Sequence, residues 1–255
     1  MDFTLLHAAI ALTTGLAAFV SVAFAIGYAL IAVPILSLLI GTKSAIAIGL
    51  FFNVFTGAQF WFQRKYISWP DAIAILPASL LATLAGLFLF FHMHEAGLSS
   101  LLAGYLIVFV GAHWLRPAAA PLRLQDASRP PMAAPIFAGL LSGLFQGMVG
   151  IGGPPLATYL KARHLHKHAF RATLMLCFFS SNILRVTGSL ELFQGEPFWS
   201  FVLPAIPLFI GGSVAGHHLP RIMSEKTFQY SVDVLLLLSA AMLIVKSAPE
   251  LLELV

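Results

Sequence analysis

Gly147-Met148-Val149-Gly150-Ile151-Gly152-Gly153-Pro154-Pro155 interrupts an otherwise apolar run over residues 133–160, and the course of the chain on either side of it decides the fold. Glycine accepts helix-ending backbone conformations and proline lacks an N–H, so together they break a helix here. The stretch is not a phosphate loop, because it lacks a Gly-Lys-Ser/Thr ending and any flanking strand. At an offset of 125, Ala25-Ile26-Gly27-Tyr28-Ala29 interrupts a second apolar run over 5–40. Unbroken, that run would be a helix of about 54 Å, too long for one crossing of a hydrocarbon core of about 30 Å.

Further apolar runs of spanning length lie at 44–62, 70–91, 97–115, 172–190, 199–218 and 227–245. Of the 255 residues, 59% are hydrophobic and 9% charged, with a mean hydropathy of +0.92. A soluble domain carries roughly 25% charged residues. The chain therefore reads as an all-α polytopic membrane protein. A pI near 9.4 does not indicate nucleic acid, because the basic residues fall in loops between spans. Cys177 is the single cysteine, so no disulfide framework exists. Ala23-Phe24-Ala25 mimics a signal-peptidase site, but no Lys or Arg precedes the apolar run, which reads as a retained membrane segment.

The two halves match along one nearly ungapped alignment. Asn53 meets Asn182 at an offset of 129; Pro77 meets Pro207, Ala85-Gly86 meets Ala215-Gly216, Met93 meets Met223 and Glu95 meets Glu225 at 130. Internal duplication explains this, and divides the chain into a first membrane repeat over 1–115, a Pro-rich cytoplasmic linker over 116–132 and a second repeat over 133–255. Lys and Arg outside the spans decide the topology. If each broken stretch is one kinked span, the repeats are parallel and these residues divide almost evenly between the two sides. If each is a re-entrant hairpin returning to its own side, the second repeat is inverted. Eleven basic residues (Arg64, Lys65, Arg116, Arg123, Arg129, Lys161, Arg163, Lys167, Arg171, Arg221, Lys226) then share one side, against Lys43 and Lys246 on the other. The positive-inside rule favours two inverted-topology repeats, each a broken, re-entrant hairpin plus three transmembrane helices, with both termini periplasmic.

A helix break at membrane depth persists only against protein or a wet cavity. A half-helix N-terminus beside it offers free N–H groups and a positive dipole end to an anion. Candidate substrate-binding residues are therefore Gly27 and Tyr28 at the first break, with Gln146, Gly150, Gly152, Gly153 and Pro154 at the second. Asn53, Ser181, Asn182 and Arg185 join them from neighbouring spans, and Ser180, Thr56 and Gln59 could extend the polar face. Arg185 and Asp233 read as the intramembrane charges, Arg185 to attract an anion or snorkel to the interface, Asp233 to carry a coupling proton or pair with Arg185. His164, His166 and His168 sit among four cations, which disfavours a metal; no metal, cofactor or catalytic residue is assigned. Glu95 and Glu225 begin helices, where an acid complements the dipole.

The glycine-broken N-terminal segment, its duplicate Gly-Ile-Gly-Gly-Pro-Pro and the chain length resemble the sulfite exporter TauE/SafE family, bacterial permeases also called the toluene sulfonate uptake permease family. Ala25, Tyr28 and Ala29 stand where that family usually shows glycines, which implies a first half-site that is less open or more selective. The resemblance implies a multi-pass permease of the inner membrane moving a small sulfur-containing or organic anion, such as sulfite or a sulfonate. Alternating access driven by a proton or sodium ion is the expected mechanism; an oligomer is left open. The competing classes are an intramembrane enzyme acting on a lipid pyrophosphate, for which the hairpins lack an Asp or Glu, and a non-transporting scaffold.

Overall fold

The structure, a computed structural model, describes residues 3–24, 27–94, 97–102, 104, 105, 108, 111, 133–163, 165–194, 196–218 and 234. Its elements are α1 (Phe3–Phe24), α2 (Ala29–Ile40), α3 (Thr42–Ala58), α4 (Phe60–Gln63), α5 (Trp69–His92), α6 (Ala133–Val149), α7 (Gly153–Ala162), α8 (Lys167–Gly188) and α9 (Glu196–His218). Short 3-10 turns cover Arg64–Tyr66 and Leu190–Phe193. Among the described residues, five helical stretches are long and apolar enough to cross a membrane: Thr4–Ala23, Thr42–Tyr66, Trp69–His92, His168–Gly188 and Phe198–His218. The linker 116–132 and the expected span 227–245 lie outside the described residues, as does most of 103–115.

Both breaks fall at their glycines, the second at its prolines as well. α1 ends at Phe24 and α2 starts at Ala29; α6 ends at Val149 and α7 starts at Gly153. α2 has 12 residues and α7 has 10, about 18 and 15 Å of helix, so neither alone crosses a core of about 30 Å. The helix expected over 172–190 starts earlier, at Lys167, and takes in Arg171.

The described residues fall into two compact units, one drawn from Met1–Phe52, Met93–His113 and Ser189–Val255, the other from Asn53–His92 and Trp114–Gly188. In the first unit α1 packs along α9. Gly15 and Gly212 face each other, and a Cβ on Gly216 would overlap the Phe19 carbonyl. Phe51, Phe193, Phe198 and Trp199 form an aromatic cluster, with Phe51 5.9 Å from Phe198 and 5.8 Å from Trp199.

In the second unit α6 packs along α5. Gly139, Gly143 and Gly147 repeat every fourth residue, the small-residue spacing that lets membrane helices approach backbone to backbone. Gly139 lies against Ile75, Gly143 against Ser79, and Gly147 against Thr83 and Gly86; a Cβ on Gly86 would overlap the Leu144 carbonyl. Ile75, Leu156, Tyr159, Leu160, Leu174, Cys177 and Phe178 bury a shared core among α5, α7 and α8. Tyr66 stacks on His168 at 5.1 Å, and Ser68 N donates to Thr173 Oγ1 at 3.0 Å, so the turn carrying Arg64 and Lys65 lies at the same end of this unit as the start of α8.

The packing is reciprocal between the sequence halves. A first-half helix, α5, pairs with second-half α6; second-half α9 pairs with first-half α1. Gly86 and Gly216 are 130 apart, their carbonyl neighbours Leu144 and Phe19 are 125 apart, and the two contacts are alike. Leu81, Phe88, Phe137, Leu203 and Ile210 are exposed on these helices, as side chains facing lipid require.

A candidate anion site at the second helix break

α6 ends in a glycine turn. Gly150 N donates to Gln146 O at 3.0 Å, and Gly150 holds φ 80°, the left-handed conformation that closes helices and suits only residues without a Cβ penalty. Two residues later the chain runs so close to α6 that a Cβ on Gly152 would stand 2.6 Å from Ser142 O and 2.9 Å from Gln146 Cβ. α7 then starts with Pro154 and Pro155 in its first turn, where a missing N–H costs nothing.

α6 itself satisfies the backbone of the break. Gly152 N donates to Gln146 Oε1 at 2.7 Å, and Gly152 O accepts from Ser142 Oγ at 2.6 Å. Gln146 Nε2 continues outward, donating to Asn182 Oδ1 at 2.8 Å. Asn182 is wholly buried, and its Nδ2 meets no acceptor among the described residues. Ser181 Oγ lies 3.4 Å from Ser79 Oγ, and Arg185 follows one turn along α8. Arg185 is 1% exposed, so it does not snorkel. The structure thus draws Gln146, Gly150, Gly152, Gly153, Pro154 and Asn182 into one constellation, with Ser181 and Arg185 on the adjoining stretch of α8. Ser180 and Thr56 do not extend it, since each hydroxyl donates back into its own helix, to Leu176 O and Asn53 O.

The first break, in the other unit, is built differently. Gly27 has φ 93°, whereas Gly152, its counterpart, has φ −100°. Tyr28 occupies the position of Gly153. It is fully buried, its ring 5.6 Å from Phe52 and 6.1 Å from Phe209. Ser21 stands where the offset of 125 pairs it with Gln146, so this half has no equivalent glutamine. Asn53, which belongs with the second unit, is buried in α3, and its backbone carbonyl accepts from Thr56 Oγ1. Asp233 lies outside the described residues.

Arg185 is not the only buried charge among the described residues. Asp71, in the first turn of α5, is 2% exposed and accepts from Ser68 Oγ at 2.6 Å, Tyr159 OH at 2.9 Å and Arg163 Nε at 3.0 Å. It ties the C-terminal end of α7 to the start of α5, with each charge at the helix end its sign suits. A carboxylate therefore reaches the second hairpin from a neighbouring helix, but its oxygens are engaged by three donors. Asp71 sits at the edge of its apolar run, where an acid reads as an interface residue. The spacing Ser68-x-x-Asp71 before that run, a capping-box pattern, is the signal that marks it.

A family model described as sulfite exporter TauE/SafE matches residues 10–243, a range that takes in both breaks and every residue of the constellation. The chain belongs to the TauE/SafE family. No curated protein and no solved structure matches it. TauE/SafE proteins are transporters, which makes this chain a multi-pass member of a transporter family whose substrates are small anions. Apolar helices of spanning length and broken helices ending on polar side chains agree with that membership.

Proposed function

We propose that this protein is a secondary permease for a small sulfur-containing oxyanion or organic sulfonate, which it binds at the second helix break and exposes alternately to the two sides of the membrane. The observation that carries the reading is the relay from Gly152 N through Gln146 to Asn182, ending in a buried Nδ2 donor that meets no acceptor among the described residues. A buried donor left without a partner is costly, and an anionic oxygen is the partner that relieves it best. The N-terminus of α7 adds its dipole to the same charge, and Arg185 supplies a cation one turn from Asn182. Gly27 and Tyr28 form the first-half counterpart of the break, where an aromatic side chain replaces the glycine and narrows what can bind; Asn53 is the first-half counterpart of Asn182 in the sequence.

Two inverted repeats, 1–115 and 133–255, joined by a cytoplasmic linker, suit this mechanism. The reciprocal contacts of Gly86 with Leu144 and of Gly216 with Phe19 support the duplication. The Tyr66–His168 stack supports one side for two basic loops that single kinked spans would separate. Both termini then lie in the periplasm of a bacterial inner membrane, and a proton or sodium gradient drives flux.

Asn182→Ala is the direct test. Loss of a hydrogen bond to a charged group, about 1.5–3 kcal/mol, lowers affinity by tenfold or more. Reconstituted wild type should move labelled sulfite or a sulfonate, and the variant should lose most of that flux while eluting as the same folded species. Undiminished flux in the variant would remove Asn182 from the site. In wild type, the transported anion at about 100 times its Kd should add about 2.7 kcal/mol of stability, read as a raised Tm. A scaffold that binds no anion would show no such rise.

A further inference from the structure

The hydrogen-bond polarity at the second break starts from a group that cannot reverse it. Gly152 N–H can only donate, so the Gln146 atom meeting it at 2.7 Å is Oε1. Nε2 is then the atom left to face Asn182; it too can only donate, and it does so to Oδ1 at 2.8 Å. One backbone N–H therefore fixes the orientation of two side-chain amides in series. The far end is necessarily Nδ2, a donor, and Asn182 is wholly buried.

An amide held by nothing else would offer its carbonyl or its amino group with similar ease, and a carbonyl aimed at an anion repels it. Both polar atoms of Gln146 are already engaged within the protein, and the residue is buried. We infer that Gln146 is a positioning residue rather than a substrate ligand: it transmits the polarity of Gly152 N–H to Asn182, so that the site offers donors alone. Such a site selects solutes whose facing atoms are all acceptors, fully deprotonated oxyanions, and discriminates against protonated or neutral relatives, whose O–H would meet a second donor. The inference rests on the proposed anion site at Asn182.

Gln146→Glu reverses the relay. An ionised Glu accepts from Gly152 N–H and also from Asn182 Nδ2, turning Oδ1 towards the substrate. When protonated, the same side chain accepts from Gly152 and donates to Asn182, restoring the wild-type polarity. The probe is thiosulfate, whose charge is constant between about pH 5 and pH 8, with affinity read from anion-dependent thermal stabilisation and from KM in proteoliposomes. Gln146→Glu should bind about tenfold or more weakly near pH 8 and recover towards wild type near pH 5, while wild type changes little. In an Asn182→Ala background the same substitution should alter affinity by less than about twofold, because its effect passes through Asn182.

An equal loss with and without Asn182 would mean direct charge repulsion and would overturn the inference. Gln146→Met, which frees Asn182 without locking it the wrong way, should cost only about twofold and show no pH dependence. A loss as large as that of Asn182→Ala would make Gln146 a ligand and overturn the inference independently of how well the Glu variant folds. Failure of wild type to bind thiosulfate, sulfite or methanesulfonate would instead remove the anion site on which the inference stands.

Discussion

Asp71→Ala is expected to cost about 3–5 kcal/mol of stability, the range for breaking a buried ion pair from one side. The carboxylate is 2% exposed and Arg163 is 9% exposed, so water does little to soften the loss. Removing it takes the carboxylate away from Tyr159 OH, Ser68 Oγ and Arg163 Nε together. The damage should centre on the second hairpin, because Arg163 and Tyr159 anchor the C-terminal end of α7. Thermal unfolding in detergent should show a sharply lowered Tm or no folded peak. An apolar replacement of both charges, Asp71→Leu with Arg163→Met, should recover much of the loss, since the pair's own desolvation disappears with it. A change below about 1 kcal/mol for Asp71→Ala would place the pair among solvent-screened surface bridges and contradict its burial.

The helix seams should be as unforgiving. A Cβ on Gly86 would overlap the Leu144 carbonyl and lie 2.9 Å from Gly147 Cα, and on Gly216 it would overlap the Phe19 carbonyl. Both obstacles are backbone, which cannot turn aside as a side chain can. Gly86→Leu and Gly216→Leu must each force a pair of helices apart, a cost at or above the upper end of the overpacking range of about 1–3 kcal/mol. Gly211 is the internal control. It sits on α9 beside Gly212 but has nothing within 4 Å of its would-be Cβ. Gly211→Ala should therefore be neutral or mildly stabilising, because alanine gains up to about 1 kcal/mol of helix propensity over glycine. Size-exclusion profiles and Tm values of the three variants check the contrast; a Gly86→Leu protein with wild-type Tm would mean the α5–α6 seam is looser than described.

The breaks at 25–29 and 150–155 were legible because glycine and proline act locally: backbone rules fix where a helix stops, whatever packs against it. Asn182 was legible as a buried amide repeated in register with Asn53. The relay was not, because Gln146 meets Asn182 only once α6 and α8 are side by side, and nothing local in Phe145-Gln146-Gly147 marks it. Asp71 escaped for the converse reason. Its partners Tyr159 and Arg163 lie about ninety residues away, and at the end of an apolar run a carboxylate looks solvated. The spacing of Gly139, Gly143 and Gly147 is visible in the sequence, but glycine serves a helix break and a close helix seam alike, and only the packing against α5 separates the two. Alignment of the halves pointed to a common ancestry of the two breaks and set Tyr28 against Gly153, without showing the polar wiring that the second break alone carries among the described residues.

The inverted arrangement of the two halves is tested most directly by the sidedness of two loops. With buried Cys177 replaced by alanine, single cysteines at Lys65, His168 and Gln194, all exposed, can be labelled in intact cells and in inverted vesicles with a membrane-impermeant reagent. If the second hairpin turns back to its own side, Lys65→Cys and His168→Cys react together from the cytoplasm and Gln194→Cys reacts from the periplasm, in keeping with the Tyr66–His168 stack. Labelling of positions 65 and 168 from opposite sides of the membrane would contradict the re-entrant hairpins and the inverted repeats together.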